Sequence, residues 1–259
     1  MLLHEHLENG ADKNPNFPFS EFEGNSLSYQ EANLLSNQLA NKLVSEGLEV
    51  GDRFAFLAKN CTEMAIMYYA ASKVGAVPVP LNYRLADQEW AYIINDSEAK
   101  LIIVKGNEYS DRINQISSEL KNVKKYISIS FDNSIEKFQD FYDWLSDSSN
   151  EKPTLKIHEN DDVYQMYTSG TTGHPKGAVL LQRNVAANIR QYLNSLTLPR
   201  PSRTLLVAPM YHAAAMINMC GCIAIGGTIV IQEDFIPKDV VDCLATVSYT
   251  HLTLPTIGE

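Results

Sequence analysis

The chain has 259 residues, 45% of them hydrophobic, which is enough to bury one large core or two smaller ones. Acidic residues outnumber basic ones 31 to 21 for a formal charge of −10, with no lysine–arginine block, so a nucleic-acid partner is not expected. The N-terminus MLLHEHLENGADKNPNF lacks the regions of a secretory signal, and the most apolar stretch, residues 64–81, is broken by Lys73, Gly75 and two prolines; a cytoplasmic protein with no integral membrane segment is expected.

Ser28 and Glu31 have capping-box spacing, and Leu34, Leu35, Leu39, Leu43 and Val44 follow at helical spacing, which predicts a helix ending near Gly47. A strand is predicted over 53–58, a helix from Thr62 to about Gly75, a strand over 77–80, a helix over 87–95 and a buried strand in KLIIV, residues 100–104. A further strand is predicted over 126–130 and a helix over 134–145, carrying Phe138, Phe141, Tyr142 and Trp144. This alternation implies an α/β fold of mainly parallel sheets covered by helices.

Residues 146–160 are rich in Ser, Asp, Glu and Asn and read as a connection, dividing a first α/β lobe, residues 1–150, from a second, residues 151–246. The second lobe is predicted to hold strands over 163–167 and 178–181, a helix from about Asn184, a strand over 204–208, a helix over 212–225, a strand over 228–231 and a helical pattern over 237–245. The four cysteines, Cys61, Cys220, Cys222 and Cys243, show no disulfide framework; Cys220 and Cys222 lack two further ligands at metal spacing and read as core residues.

The chemistry lies in Tyr167-Thr-Ser-Gly-Thr-Thr-Gly-His-Pro-Lys-Gly177, a loop between two strands with nothing larger than threonine from Thr168 to Gly173. Gly170 and Gly173 allow positive φ, so successive N–H groups can converge on one anion; the hydroxyls of Thr168, Ser169, Thr171 and Thr172 add donors, and Lys176 adds a full positive charge. It is not a Walker A loop, because Lys176 follows Pro175 and precedes Gly177 instead of opening a helix beside Ser or Thr.

The stretch YTSGTTGHPKGAVL, residues 167–180, resembles the signature loop of the adenylate-forming superfamily, the acyl-CoA synthetases and adenylation domains. Residues 51–85 and the following helix and KLIIV strand resemble that family's first lobe, and APMYHAAAM, residues 208–216, resembles its next motif. Gln182 and Ala215 depart from the family's common histidine and glycine. The resemblance implies an incomplete N-terminal domain of the adenylate-forming fold, with ATP, Mg²⁺ and coenzyme A as cofactors and a small carboxylic acid as substrate. It implies ATP contacts for Thr168, Ser169, Gly170, Thr171, Thr172, Gly173 and Lys176, with Lys176 and Thr172 in the catalytic part. His212 and Tyr211 are implied on the acyl side, and no metal ligand is assigned. An adenylation domain loading a carrier protein, or a non-catalytic binding module, are the other readings. His174, at a variable position of the loop, is expected to face solvent.

VSYTHLTLPT, residues 247–256, resembles the translation of a transposase adapter used in preparing sequencing libraries, so residues 247–259 are expected to be a non-native tail and are left out of the fold expectations. The acidic Mg²⁺ motif, the ribose-gripping aspartate and the C-terminal catalytic lysine of the family do not occur in the chain, which is therefore expected to be inactive by itself.

Overall fold

The computed structural model describes residues 1–129, 135, 137–168, 173–195, 202–246 and 251–253. In chain order the elements are α1 (Leu3–Lys13), β1 (Pro18–Phe22), β2 (Asn25–Ser28), α2 (Tyr29–Ser45), β3 (Arg53–Leu57), α3 (Thr62–Val74), β4 (Val77–Leu81), α4 (Asp87–Asp96), β5 (Leu101–Val104), α5 (Asn107–Ile116), β6 (Lys125–Ser128), β7 (Gln139–Asp140) and α6 (Phe141–Leu145). They continue with β8 (Asp162–Thr168), β9 (Lys176–Leu181), α7 (Gln182–Ser195), β10 (Arg203–Leu206), α8 (Ala213–Ala224), β11 (Thr228–Ile231), α9 (Pro237–Thr246) and β12 (His251–Thr253).

The chain forms two compact units that are not consecutive in sequence. One comprises Met1–Ser36, Lys59–Tyr69 and Gln182–Glu259; the other comprises Asn37–Ala58 and Ala70–Leu181. The first unit holds a sheet in the order β12-β10-β11-β1-β2, parallel except for the antiparallel β1–β2 pair. The second holds an all-parallel sheet in the order β4-β3-β5-β6-β7 and, separately, the antiparallel pair β8–β9. The α/β class with mainly parallel sheets is thus what the chain adopts. Strand β12 falls within the stretch expected to be a non-native tail, and its backbone pairs with Thr204–Leu206 of β10.

Local chemistry accounts for the well-matched elements. The Ser28 hydroxyl accepts from the Glu31 N–H at 3.2 Å while the Glu31 carboxylate accepts from the Ser28 N–H at 2.8 Å, which starts α2 at Tyr29. Leu101, Ile102, Ile103 and Val104 are all buried in the middle of their sheet, as a continuous apolar run in a parallel strand requires.

The helix expected over 134–145 is a correction. Residues 130–134 and 136 lie outside the described residues, Gln139 and Asp140 form β7, and the helix is only Phe141–Leu145. The Asp140 carboxylate accepts from the N–H groups of Tyr142 and Asp143 at 2.8 and 2.9 Å, so the helix can begin only after Asp140. The aromatic spacing reflects burial of Phe138, Phe141 and Trp144, not a long helix. Elements α1, β1, β2 and α5 had no counterpart among the sequence expectations. In α5 the buried side is Tyr109, Ser110, Ile113 and Ile116, and its serine hides the apolar period. Among the described residues no helix is long and apolar enough to cross a membrane.

Candidate functional site

The signature loop is carried by the β8–β9 hairpin. Register pairs Thr168 with Lys176 and Tyr167 with Gly177, so the two residues that open and close the loop stand opposite each other. The Thr168 hydroxyl lies 3.5 Å from the Lys176 carbonyl, and both residues are exposed. Ser169, Gly170, Thr171 and Thr172 lie outside the described residues. Gly173 follows at φ +120 with open space where a Cβ would stand, a conformation that glycine adopts without strain. Register thus sets Lys176, an exposed cation, opposite Thr168 where the loop begins and ends, and in sequence that loop is rich in hydroxyl residues and glycine, a composition that suits a phosphate.

The strands are pinned by side chains at alternate positions. The Tyr167 hydroxyl donates to Asp96 Oδ2 at 2.6 Å and accepts from Gln165 Nε2 at 3.0 Å. Gln165 Oε1 in turn accepts from Arg53 Nε at 3.1 Å, while the Arg53 fork reaches the Gly51 carbonyl at 2.8 Å and Asp162 Oδ2 at 3.2 Å. Partial burial, then the bond to Asp96, pushes the Tyr167 phenol well above its ordinary range, so it remains a donor. Gly177 is required by the same arrangement: a Cβ there would fall 2.3 Å from Gln165 Nε2 and 2.9 Å from Tyr167 Cζ.

His212 and Tyr211 belong to the other unit. His212 caps α8 in an extended conformation and is exposed; Tyr211 is buried, its ring centroid 4.4 Å from the imidazole. The turn that carries them is held by Asn60, which is 2% exposed. Its amide donates to the carbonyls of Ala208 and Gln232, both at 3.1 Å, and its oxygen accepts from the Met210 N–H at 2.7 Å. Tyr68 adds a bond from its hydroxyl to the Met210 carbonyl at 3.3 Å.

Cys220 and Cys222 sit in the interior of α8, and burial pushes their thiols up to about 12 and about 11, which makes them inert core groups. Among the described residues no three His, Cys, Asp or Glu side chains gather as they would around a metal ion.

A family model described as AMP-binding enzyme matches residues 7–257. The chain belongs to the AMP-binding enzyme family. It is 31% identical over 211 residues to the long-chain-fatty-acid–CoA ligase FadD13 of Mycobacterium tuberculosis (strain CDC 1551 / Oshkosh), covering 81% of this chain and 40% of that protein. It is 31% identical over 233 residues to a feruloyl-CoA synthase of Amycolatopsis sp, covering 89% of this chain and 43% of that protein. Among solved structures, the inhibitor-bound N-terminal domain of FACL13 from Mycobacterium tuberculosis superimposes with a TM-score of 0.84 at 28% identity, over 94% of this chain and 60% of that one. This AMP-binding enzyme chain therefore spans about two fifths of the length of the curated relatives it matches. Family membership accounts for the α/β fold and for the signature hairpin.

Of the residues singled out from sequence, Thr168, Gly173 and Lys176 come together on one hairpin, whereas Tyr211 and His212 sit on a turn of the other unit. Sequence reading missed Asn60, Arg53, Asp96 and Gln165. Only Gln165 carried a signal, being a polar residue that is buried inside an apolar strand.

Proposed function

We propose that this chain supplies the phosphate-binding part of an ATP-dependent acid–thiol ligase that forms acyl-AMP and then an acyl-CoA thioester. The observation that carries the reading is the hairpin neck, where an exposed lysine faces Thr168 across a loop that closes through Gly173 at positive φ. The names of the ligase and synthase relatives support the same chemistry.

A carboxylate oxygen of the acid attacks the α-phosphorus, the bond to the bridging oxygen breaks, and pyrophosphate leaves with the electron pair. Charge grows on the departing phosphates, so a fixed ammonium and preorganised N–H and O–H donors bind the transition state more tightly than the ground state. Lys176, Thr168, Ser169, Gly170, Thr171, Thr172 and Gly173 take this part, with Lys176 and Thr172 nearest the chemistry. A thiolate then attacks the acyl carbon and AMP departs with the anhydride oxygen. Mg²⁺ would arrive with ATP and neutralise phosphate charge; Lys176 is the cation that this hairpin contributes beside it. His212 and Tyr211, held by Asn60, shape the acid side and transfer no proton. The ligands are small molecules, and a cytoplasmic setting fits them.

The experiment is a thioester assay on the whole enzyme that carries this sequence, with a panel of fatty and aromatic acids, ATP and either coenzyme A or a phosphopantetheinyl carrier protein. Acid-dependent AMP release that requires coenzyme A is the expected result. Thioester formed only on the carrier would replace the acceptor, and ATP consumption with no dependence on any acid would overturn the reading.

A further inference from the structure

Helix α4 touches the hairpin at two points that the signature motif does not include. It is a firm platform: Trp90, Ala91, Ile93 and Ile94 are buried, the Trp90 indole donates to the Asn82 carbonyl at 2.8 Å, and the Arg112 guanidinium lies 3.9 Å above the Trp90 ring. From its outer side come Tyr92 and Asp96, four residues and about one turn apart. Asp96 accepts a hydrogen bond from the hydroxyl of Tyr167, the residue immediately before Thr168. The Tyr92 ring stacks on His174, the residue immediately after Gly173, with centroids 4.6 Å apart and planes at 18°. One turn of α4 therefore holds the outgoing limb of the loop through a hydrogen bond and the returning limb through an aromatic stack.

His174 occupies a place where the sequence suggested only a solvated side chain. It is exposed, yet its ring face is committed to Tyr92. Fixing the residues on either side of a glycine-containing loop reduces the entropy lost when a polyphosphate is gripped. The Asp96–Tyr167 bond continues through Gln165 to Arg53 on β3, so the outgoing limb is tied to the parallel sheet as well. The returning limb, two residues before Lys176, has the stack.

We propose that Tyr92 and His174 are positioning residues for ATP: their stack, together with the Asp96–Tyr167 bond, preorganises the two limbs of the phosphate loop and sets the bearing of Lys176. This rests on the reading of the hairpin as an ATP phosphate loop. An aromatic ring at position 174 is what the arrangement needs; the imidazole's proton chemistry is not used. Both rings act through the limbs of the phosphate loop, so the effect falls on the affinity for ATP and not on the acid.

The test is acid-dependent ATP–pyrophosphate exchange by the whole enzyme with His174→Ala, His174→Phe, Tyr92→Leu, the double variant His174→Ala/Tyr92→Leu, and Lys176→Ala as a control for the loop itself. Loss of one aromatic stack corresponds to roughly a two- to tenfold rise in KM for ATP. His174→Ala and Tyr92→Leu should each show that rise with the KM for the acid unchanged, the double variant should be no worse than either single one, and His174→Phe should recover the wild-type value. Thermal unfolding midpoints check that each variant is folded. If Lys176→Ala abolishes exchange while His174→Ala and Tyr92→Leu keep the wild-type KM for ATP, the positioning role is wrong and the loop reading stands. If His174→Phe fails to recover the KM while His174→Ala and Tyr92→Leu raise it, the stack is not the cause. If Lys176→Ala leaves exchange intact, the loop reading fails and this proposal fails with it.

Discussion

Asn60 bonds three backbone groups through one side chain, so its removal has a calculable cost. In Asn60→Ala the Ala208 carbonyl and the Met210 N–H lose partners within a buried environment, while the Gln232 carbonyl is only partly buried and water can replace its bond. A buried group left unpaired costs about 1–3 kcal/mol, so the two buried losses together come to about 2–6 kcal/mol. For a chain of this size each kcal/mol moves the thermal midpoint by roughly 2–4 °C, which gives a fall of about 4–24 °C. The assay is circular-dichroism melting of the chain and of two variants, Asn60→Ala and Asn60→Asp. The aspartate keeps the acceptor for the Met210 N–H but has no N–H to give Ala208 and sets a carboxylate near that carbonyl, so it should be at least as damaging despite its matching shape. A midpoint within about 2 °C of wild type for both variants would show that the hydrogen-bonded turn does not depend on Asn60.

Gly177→Ala should destabilise the hairpin by about 1–3 kcal/mol, because the new methyl would collide with Gln165 and Tyr167; urea denaturation measures it, and an unchanged midpoint would show that both side chains yield freely. His212→Ala in the whole enzyme should alter acid preference or the KM for the acid more than the KM for ATP. Kinetics over an acid panel decide this, and equal losses for acid and ATP in a folded protein would remove His212 from the acid side.

The strongly local features of the fold were readable in the chain. The Ser28–Glu31 box, the leucine period behind it and the LIIV run each specify their element through nearest neighbours, and the structure forms all three. Helix α5 was unreadable because one of its four buried positions is Ser110, which has no hydrophobic signature. The 134–145 stretch misled for the opposite reason: its aromatics repeat with helical spacing, but Asp140 caps the backbone in the middle and only the last five residues turn. At the site, the phosphate motif announced itself through small residues and a lysine. Its supports did not, since Asn60, Asp96 and Arg53 act over separations of 71 to 172 residues and look in the sequence like ordinary polar side chains. His174 shows the limit most clearly, because it is solvent-exposed as expected and still bound face-on to Tyr92 through a contact that no local pattern encodes.

The central claim is that the β8–β9 hairpin grips the phosphates of ATP through Lys176, and pyrophosphate exchange by Lys176→Ala in the whole enzyme tests it most directly. Lys176 is exposed at the neck of the loop, so its loss should shift the melting midpoint by no more than a degree or two. Removing a charge that stabilises the departing pyrophosphate should slow acid-dependent exchange by on the order of 10²-fold or more. Exchange within a fewfold of wild type, in a variant that melts normally, would contradict it.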